Sequence, residues 1–182
     1  MTKEKFQRKY RIESNRNPNW DYSSPAKYFI TICTASREHY FGEIVNFKMK
    51  LSEIGNIAYY EWLKTPELRP DMNIVLDEFC IMPNHFHAII GWGGDQCRGR
   101  LQSASTTLKT KNTNKFGPQS KNLGAIIRGF KSSIKKYATI NSINFAWQPN
   151  YHDHIIRNEE EFKRIKRYIQ NNPKNWNKDE LY

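Results

Sequence analysis

The 182-residue sequence predicts an α+β fold of the ferredoxin-like βαββαβ type, an antiparallel sheet with helices on one face and one further C-terminal helix. Three observations predict it. Short β-branched and aromatic runs alternate with segments of helical period. The two central strands are separated only by Pro83-Asn84. The last helical segment, stopped by Pro173, follows the sixth element rather than replacing it.

Residues 27–34, Lys-Tyr-Phe-Ile-Thr-Ile-Cys-Thr, are the first strand. Over 51–64, Leu51, Ile54, Ile57, Ala58 and Leu63 recur near helical spacing; Ser52 or a neighbour caps the helix and Pro66 stops it. Asn73 to Met82 and Phe86 to Trp92 form an antiparallel pair, ended by Gly93-Gly94. From 122 to 138, Leu123, Ile126, Ile127, Phe130, Ile134 and Tyr137 make one apolar stripe, with Arg128, Lys131, Lys135 and Lys136 off it. Phe145 to Ile156 is the fourth strand, interrupted at Pro149-Asn150. Asn158 caps the last helix, with Glu161 completing a capping box. The expected organisation is a basic arm over 1–26, partly ordered around Trp20 and Tyr22. One domain follows over 27–176, with a long basic loop inserted at 95–121, and a tail over 177–182.

Charge indicates the partner. The net charge is +11, and between Gln96 and His152 there are ten basic residues and no acidic one. A one-sign surface of this size repels itself unless it meets an anion, and nucleic acid is the ordinary anion for it. The alternative is a solvated basic loop with no partner. The helix at 122–138 offers Arg128, Lys131 and Lys135 to phosphates, and Arg157 is a further candidate. No apolar run is long enough to span a membrane, and the N-terminus lacks the apolar core of a secretory signal, so the expected location is the cytoplasm. The cysteines Cys33, Cys80 and Cys97 are odd in number and scattered, which argues against a disulfide framework or zinc ribbon.

Two constellations carry chemistry. In Met82-Pro-Asn-His-Phe-His87, His85 and His87 are two apart at a strand start, so both imidazoles leave one face while Phe86 enters the core. They can bind one metal ion, or be hydrogen-bonded structural histidines. In Tyr168-Ile-Gln-Asn-Asn172-Pro173, Tyr168 and Asn172 share a helix face beside the Phe162, Ile165, Ile169 stripe. On these residues alone Tyr168 reads first as a boundary aromatic with a wet hydroxyl, and Asn172 as a helix terminator. A second pair, His152 and His154, flanks Asp153, and a structural or DNA-facing role is expected for all three. Trp92 and Trp147 could stack on bases but are more often packing residues.

Taken together, these blocks resemble the REP-associated tyrosine transposases, relatives of the small insertion-sequence transposases with one HUH motif and one catalytic tyrosine. The similar segments are Tyr28–Thr34, the strand into Met-Pro-Asn-His-Phe-His-Ala-Ile-Ile, Trp147-Gln148, Tyr151–Arg157, and Tyr168-Ile169 with Asn171-Asn172-Pro173. The resemblance covers roughly residues 20–176. It implies that His85 and His87 bind a divalent metal, Mg²⁺ or Mn²⁺, with Asn172 as the amide ligand. It implies that Tyr168 is the nucleophile of a single-stranded DNA endonuclease and strand transferase, linked to DNA through a 5′-phosphotyrosine. Implied partners are hairpin-forming palindromic repeats, and relatives are often homodimers. Coordination chemistry alone would favour zinc or nickel for two imidazoles; waters and a substrate phosphate would supply the oxygens that magnesium prefers. The alternative function is a domesticated, non-catalytic hairpin-binding protein. The loop at 95–121 is longer than the resemblance leads one to expect.

Overall fold

A computed structural model describes residues 17, 19–93, 121–178 and 181. The expectations for 1–16 of the arm and for almost all of the basic loop, with Cys97, fall outside these residues. The elements are β1 (Ala26–Cys33), β2 (Gly42–Val45), β3 (Lys48–Leu51), α1 (Glu53–Leu63), α2 (Thr65–Leu68), β4 (Val75–Met82), β5 (His85–Trp92), α3 (Leu123–Ile140), β6 (His152–Ile156) and α4 (Glu159–Asn171). Short 3₁₀ turns lie at Ala35–Arg37, Pro70–Met72 and Asn172–Lys178.

The main sheet has the order β4-β5-β1-β6, and every neighbouring pair is antiparallel. This is the expected split βαβ arrangement. Strand alternation divides the sheet into two unlike faces. Tyr28, Ile30, Ile32, Phe86, Ala88 and Ile90 meet Ile54, Ala58 and Trp62 of α1 and Leu123, Ile126, Phe130 and Ile134 of α3 in the main core. The other face carries Phe29 and Ile89, and α4 closes it with Ile165 and Ile169 in a second, smaller cluster that includes Ile156. The two crossover helices therefore share one face, as expected, and among the described residues the tyrosine helix is the one helix on the other.

Ser52 and Asn158 cap as expected, Ser52 accepting from Gly55 N–H and Asn158 from Glu161 N–H. The Glu161 carboxylate accepts from Arg157 N–H and not from the N-cap as a capping box would. Asn122 is a further cap, accepting from Ala125 N–H. Trp20 and Tyr22 do order the end of the arm. Trp20 donates its indole N–H to the Tyr28 hydroxyl at 2.9 Å, and Tyr22 stacks on Tyr28, which stacks on Trp92.

Two features differ from expectation. The strand expected over Phe145–Ile156 is paired in the sheet only from His152. Before it the chain turns through Pro149-Asn150, where Asn150 has φ 65°. Phe145 is buried among Tyr40, Phe41 and Trp147, and Trp147 makes a lone bridge with Thr34. The β2–β3 hairpin is additional to the expected order. Its turn uses Asn46 and Phe47 at positive φ without a glycine, so it carries no ordinary turn signature.

Candidate active site

The site forms where the end of β1, the start of β5 and the last turn of α4 converge. Strand alternation sends His85 and His87 to the α4 face, and their rings lie 4.5 Å apart. Helix α4 brings Tyr168 over this pair, with its hydroxyl 3.3 Å from His87 Nε2. Phe29 touches both, stacked on His87 at 5.3 Å and edge-on to Tyr168 at 6.1 Å. Tyr168 is 45% exposed, so the residue lies at the surface of the site. Asn172, one turn later, is buried and interacts with the side chain of His85. The structure therefore brings His85, His87, Tyr168 and Asn172 together within a single chain.

Helix α4 is fixed in place by more than its apolar stripe. β4 bulges between Leu76 and Phe79, which frees Asp77 and Glu78 from the ladder. Lys166 Nζ donates to Asp77 Oδ1 at 2.8 Å, and Gln170 Nε2 donates to Glu78 Oε2 at 2.7 Å. These two bonds bracket Tyr168 in sequence and so hold the rotation of its helix.

Buried hydrogen bonds define both histidines. Asn84 lies fully inside, and its Nδ2 donates to the Leu181 carbonyl at 2.7 Å. A carbonyl can only accept, so the amide orientation is fixed and Asn84 Oδ1 faces His85 Nδ1 at 2.8 Å. His85 must therefore donate through Nδ1, which leaves a lone pair on Nε2. Burial, and then the nearby Arg37 charge, pull the His85 pKa down to about 3, against the Asn172 side chain, which favours the charged ring. The ring is neutral at physiological pH, the form in which imidazole binds metal. His87 Nδ1 meets Thr31 Oγ1 at 2.9 Å, its cross-strand neighbour. A ring that donates there keeps its Nε2 lone pair on the Tyr168 side. Two imidazoles steadied at Nδ1, together with a buried amide, form a donor set that fits a divalent ion. Among the described residues no group of three or more His, Cys, Asp or Glu could hold a metal.

Sequence reasoning missed Thr31 and Asn84. Asn84 was legible only as a turn residue; a polar side chain beside a histidine pair was the signal. Thr31 stands as a polar position inside an apolar strand, which was the equivalent signal.

The candidate DNA-contacting residues are spread more widely. Arg128 is exposed on α3. Lys131 donates to the carbonyls of Gln148 at 2.7 Å and Asn150 at 3.0 Å, and burial lowers its pKa. Lys135 donates to the Phe145 carbonyl at 2.6 Å. Both lysines thus tie down the connection from α3 to β6. Arg157 is exposed, and its backbone N–H donates to Glu161 Oε2 at 2.9 Å. His152 and His154 emerge on the α4 face, opposite Thr31 and Phe29. His154 Nε2 lies 2.7 Å from Glu161 Oε1. Asp153 points the other way and hydrogen-bonds Tyr22. Trp92 and Trp147 are packing residues, the latter donating to the Lys131 carbonyl at 3.0 Å. No described helix is long and apolar enough to cross a membrane.

No family model matches the chain. A protein of Haemophilus influenzae described only as uncharacterized is 41% identical over 174 residues, which span 93% of this chain and 92% of that one. Among solved structures, a REP-associated tyrosine transposase bound to a REP hairpin superposes with a TM-score of 0.56 at 16% identity. The match covers 91% of this chain and 74% of the other.

Proposed function

Because the chain belongs to one family with the Haemophilus influenzae protein and has the fold of a REP-associated tyrosine transposase, we propose that it is a single-tyrosine DNA transposase. It would nick and rejoin single-stranded DNA that carries hairpin-forming repeats. The observation that carries this reading is the hydroxyl of the exposed Tyr168, 3.3 Å from the Nε2 of a buried histidine whose twin lies alongside.

His85, His87 and Asn172 would hold a divalent cation, Mg²⁺ or Mn²⁺. Such an ion, when bound, polarises a nonbridging phosphate oxygen and lowers the charge barrier to attack. The remaining work falls to the chain. Phe29 and the bulge-anchored α4 hold the phenol in place. Tyr168 Oη attacks phosphorus, the new Oη–P bond forms as the P–O3′ bond breaks, and a 5′-phosphotyrosine results. The phenol proton passes to solvent, which the exposure of Tyr168 permits, and the departing 3′-oxygen takes a proton from water. The phosphodiester energy is conserved in the covalent link, so reversal by another 3′-hydroxyl rejoins a strand without ATP.

The test is incubation with single-stranded hairpin oligonucleotides and Mn²⁺, read on a denaturing gel. A covalent protein–DNA adduct is expected from the native chain and none from Tyr168→Phe, which should still bind. Binding without any adduct across a panel of hairpins would overturn the enzyme reading in favour of a non-catalytic hairpin binder.

A further inference from the structure

We propose that Arg37 is a phosphate-binding residue of this site, gripping the phosphodiester next along the single strand on the His85 side, away from Tyr168. The inference rests on the transposase reading and adds a contact to it.

Arg37 reaches the site by a chain of hydrogen bonds. Its Nη1 donates to the Leu181 carbonyl at 3.3 Å, the same oxygen that Asn84 engages at 2.7 Å. Asn84 in turn holds His85 Nδ1 at 2.8 Å. The guanidinium is thus two hydrogen bonds from the His85 ring, and its charge is felt there. The backbone is bent to put it in this place. β1 ends at Cys33 opposite His85, and the chain then turns through Ser36 at φ 52° and Arg37 at φ 59°. Two successive non-glycine residues in the left-handed region are costly, and such strain gathers at functional sites.

On α4, Lys166 pairs with Asp77 and Arg164 with Glu161. Arg37 is exposed and has no carboxylate partner among the described residues. Its hydrogen bond to the Leu181 carbonyl is long and to a neutral oxygen. The planar donor fork is therefore available for the bidentate geometry that suits a phosphate. The order Tyr168, His87, His85, Arg37 marks a track from the nucleophile toward the end of β1. A strand lying over the histidines would pass its flanking phosphate to Arg37.

The experiment measures noncovalent binding of single-stranded hairpin oligonucleotides to the full chain carrying Tyr168→Phe, in EDTA, by fluorescence anisotropy across salt concentrations. Adding Arg37→Gln should weaken binding about tenfold at low salt and reduce the salt slope by about 0.7, the loss of one phosphate contact on a single strand. Arg37→Lys should keep the slope. The bond lost to Leu181 is exposed, long and to a neutral carbonyl, so the melting temperature should hold, which separates binding from a structural role. Neutral methylphosphonates placed one at a time should reveal a single position that weakens the arginine protein but not Arg37→Gln. An unchanged salt slope in Arg37→Gln, or methylphosphonate effects identical in both proteins, would overturn the assignment while leaving the transposase reading intact. Failure of the parent to bind any single-stranded oligonucleotide would overturn both.

Discussion

Replacing Asn84 tests whether the buried hydrogen bonds behind the histidines set their chemistry. Asn84→Ala removes the acceptor for His85 Nδ1–H and the donor to the Leu181 carbonyl, bonds of 2.8 and 2.7 Å. The carbonyl lies near the surface and can take water, whereas the His85 N–H is left buried. That should cost about 1–3 kcal/mol, the penalty for one unsatisfied buried donor. Domain stabilities of about 5–15 kcal/mol leave the protein folded. The larger effect falls on the ring, which loses the partner that fixes its tautomer and orientation. Loss of such a support weakens metal affinity by about 10- to 100-fold. In a titration of adduct formation against Mn²⁺, the half-saturating concentration should rise by that factor with the plateau largely kept. Asn84→Asp is the control. Its carboxylate still accepts from His85 but cannot donate to Leu181, so melting should fall while the Mn²⁺ dependence stays near the parent. The reasoning is refuted if Asn84→Ala titrates like the parent while Asn84→Asp does not.

Further predictions follow from charged side chains away from the histidine pair. Lys131→Ala and Lys135→Ala should each lower stability by about 1–2 kcal/mol, the low end for charged hydrogen bonds on partly exposed groups, read as a fall in melting temperature. Arg128→Ala should instead spare melting and reduce the salt slope of hairpin binding by about 1; a slope change in the lysine variants as large as this would return them to the DNA interface. Glu161 is held below the usual carboxylate range, first by the Arg157 N–H and then by His154. The stability it lends is present above its unfolded pKa of about 4.3 and is lost as pH falls through the depressed folded value. Glu161→Gln should flatten the acid limb of a melting-temperature profile over that window, and an unchanged limb would show that the carboxylate is not coupled to folding.

Most of the fold was legible because pattern and packing agree. The first strand, the pair around Pro83-Asn84 and the α3 stripe each bury the side chains their period exposes to the core. The failures have local causes. Over 145–151 the β-rich composition reflects an aromatic cluster, with Phe145 against Tyr40 and Phe41, and burial of aromatics does not require a ladder. The β2–β3 hairpin turns on Asn46 and Phe47 in a conformation that usually selects glycine, so the chain violates the preference by which such a turn is read.

The site divides along the same line. His85, His87, Tyr168 and Asn172 were legible because each pair obeys one period, two residues on a strand or four on a helix. What the periods could not give is the meeting of the two pairs, since that depends on which sheet face α4 covers. The main core takes Phe86 and Ala88 toward α1 and α3, so strand alternation commits the histidines to the other face. The only described helix packed there is α4, whose Ile165 and Ile169 need Ile89 and Ile156 to be buried. Burying that small stripe sets the height of the helix, and the bonds to Asp77 and Glu78 from a bulge in an edge strand set its rotation. The phenol reaches His87 as a consequence of both. Long-range partners such as Asn84 with Leu181, or Arg37 with the same carbonyl, obey no period at all, and for that reason the residues that tune the histidines emerged only from the folded chain.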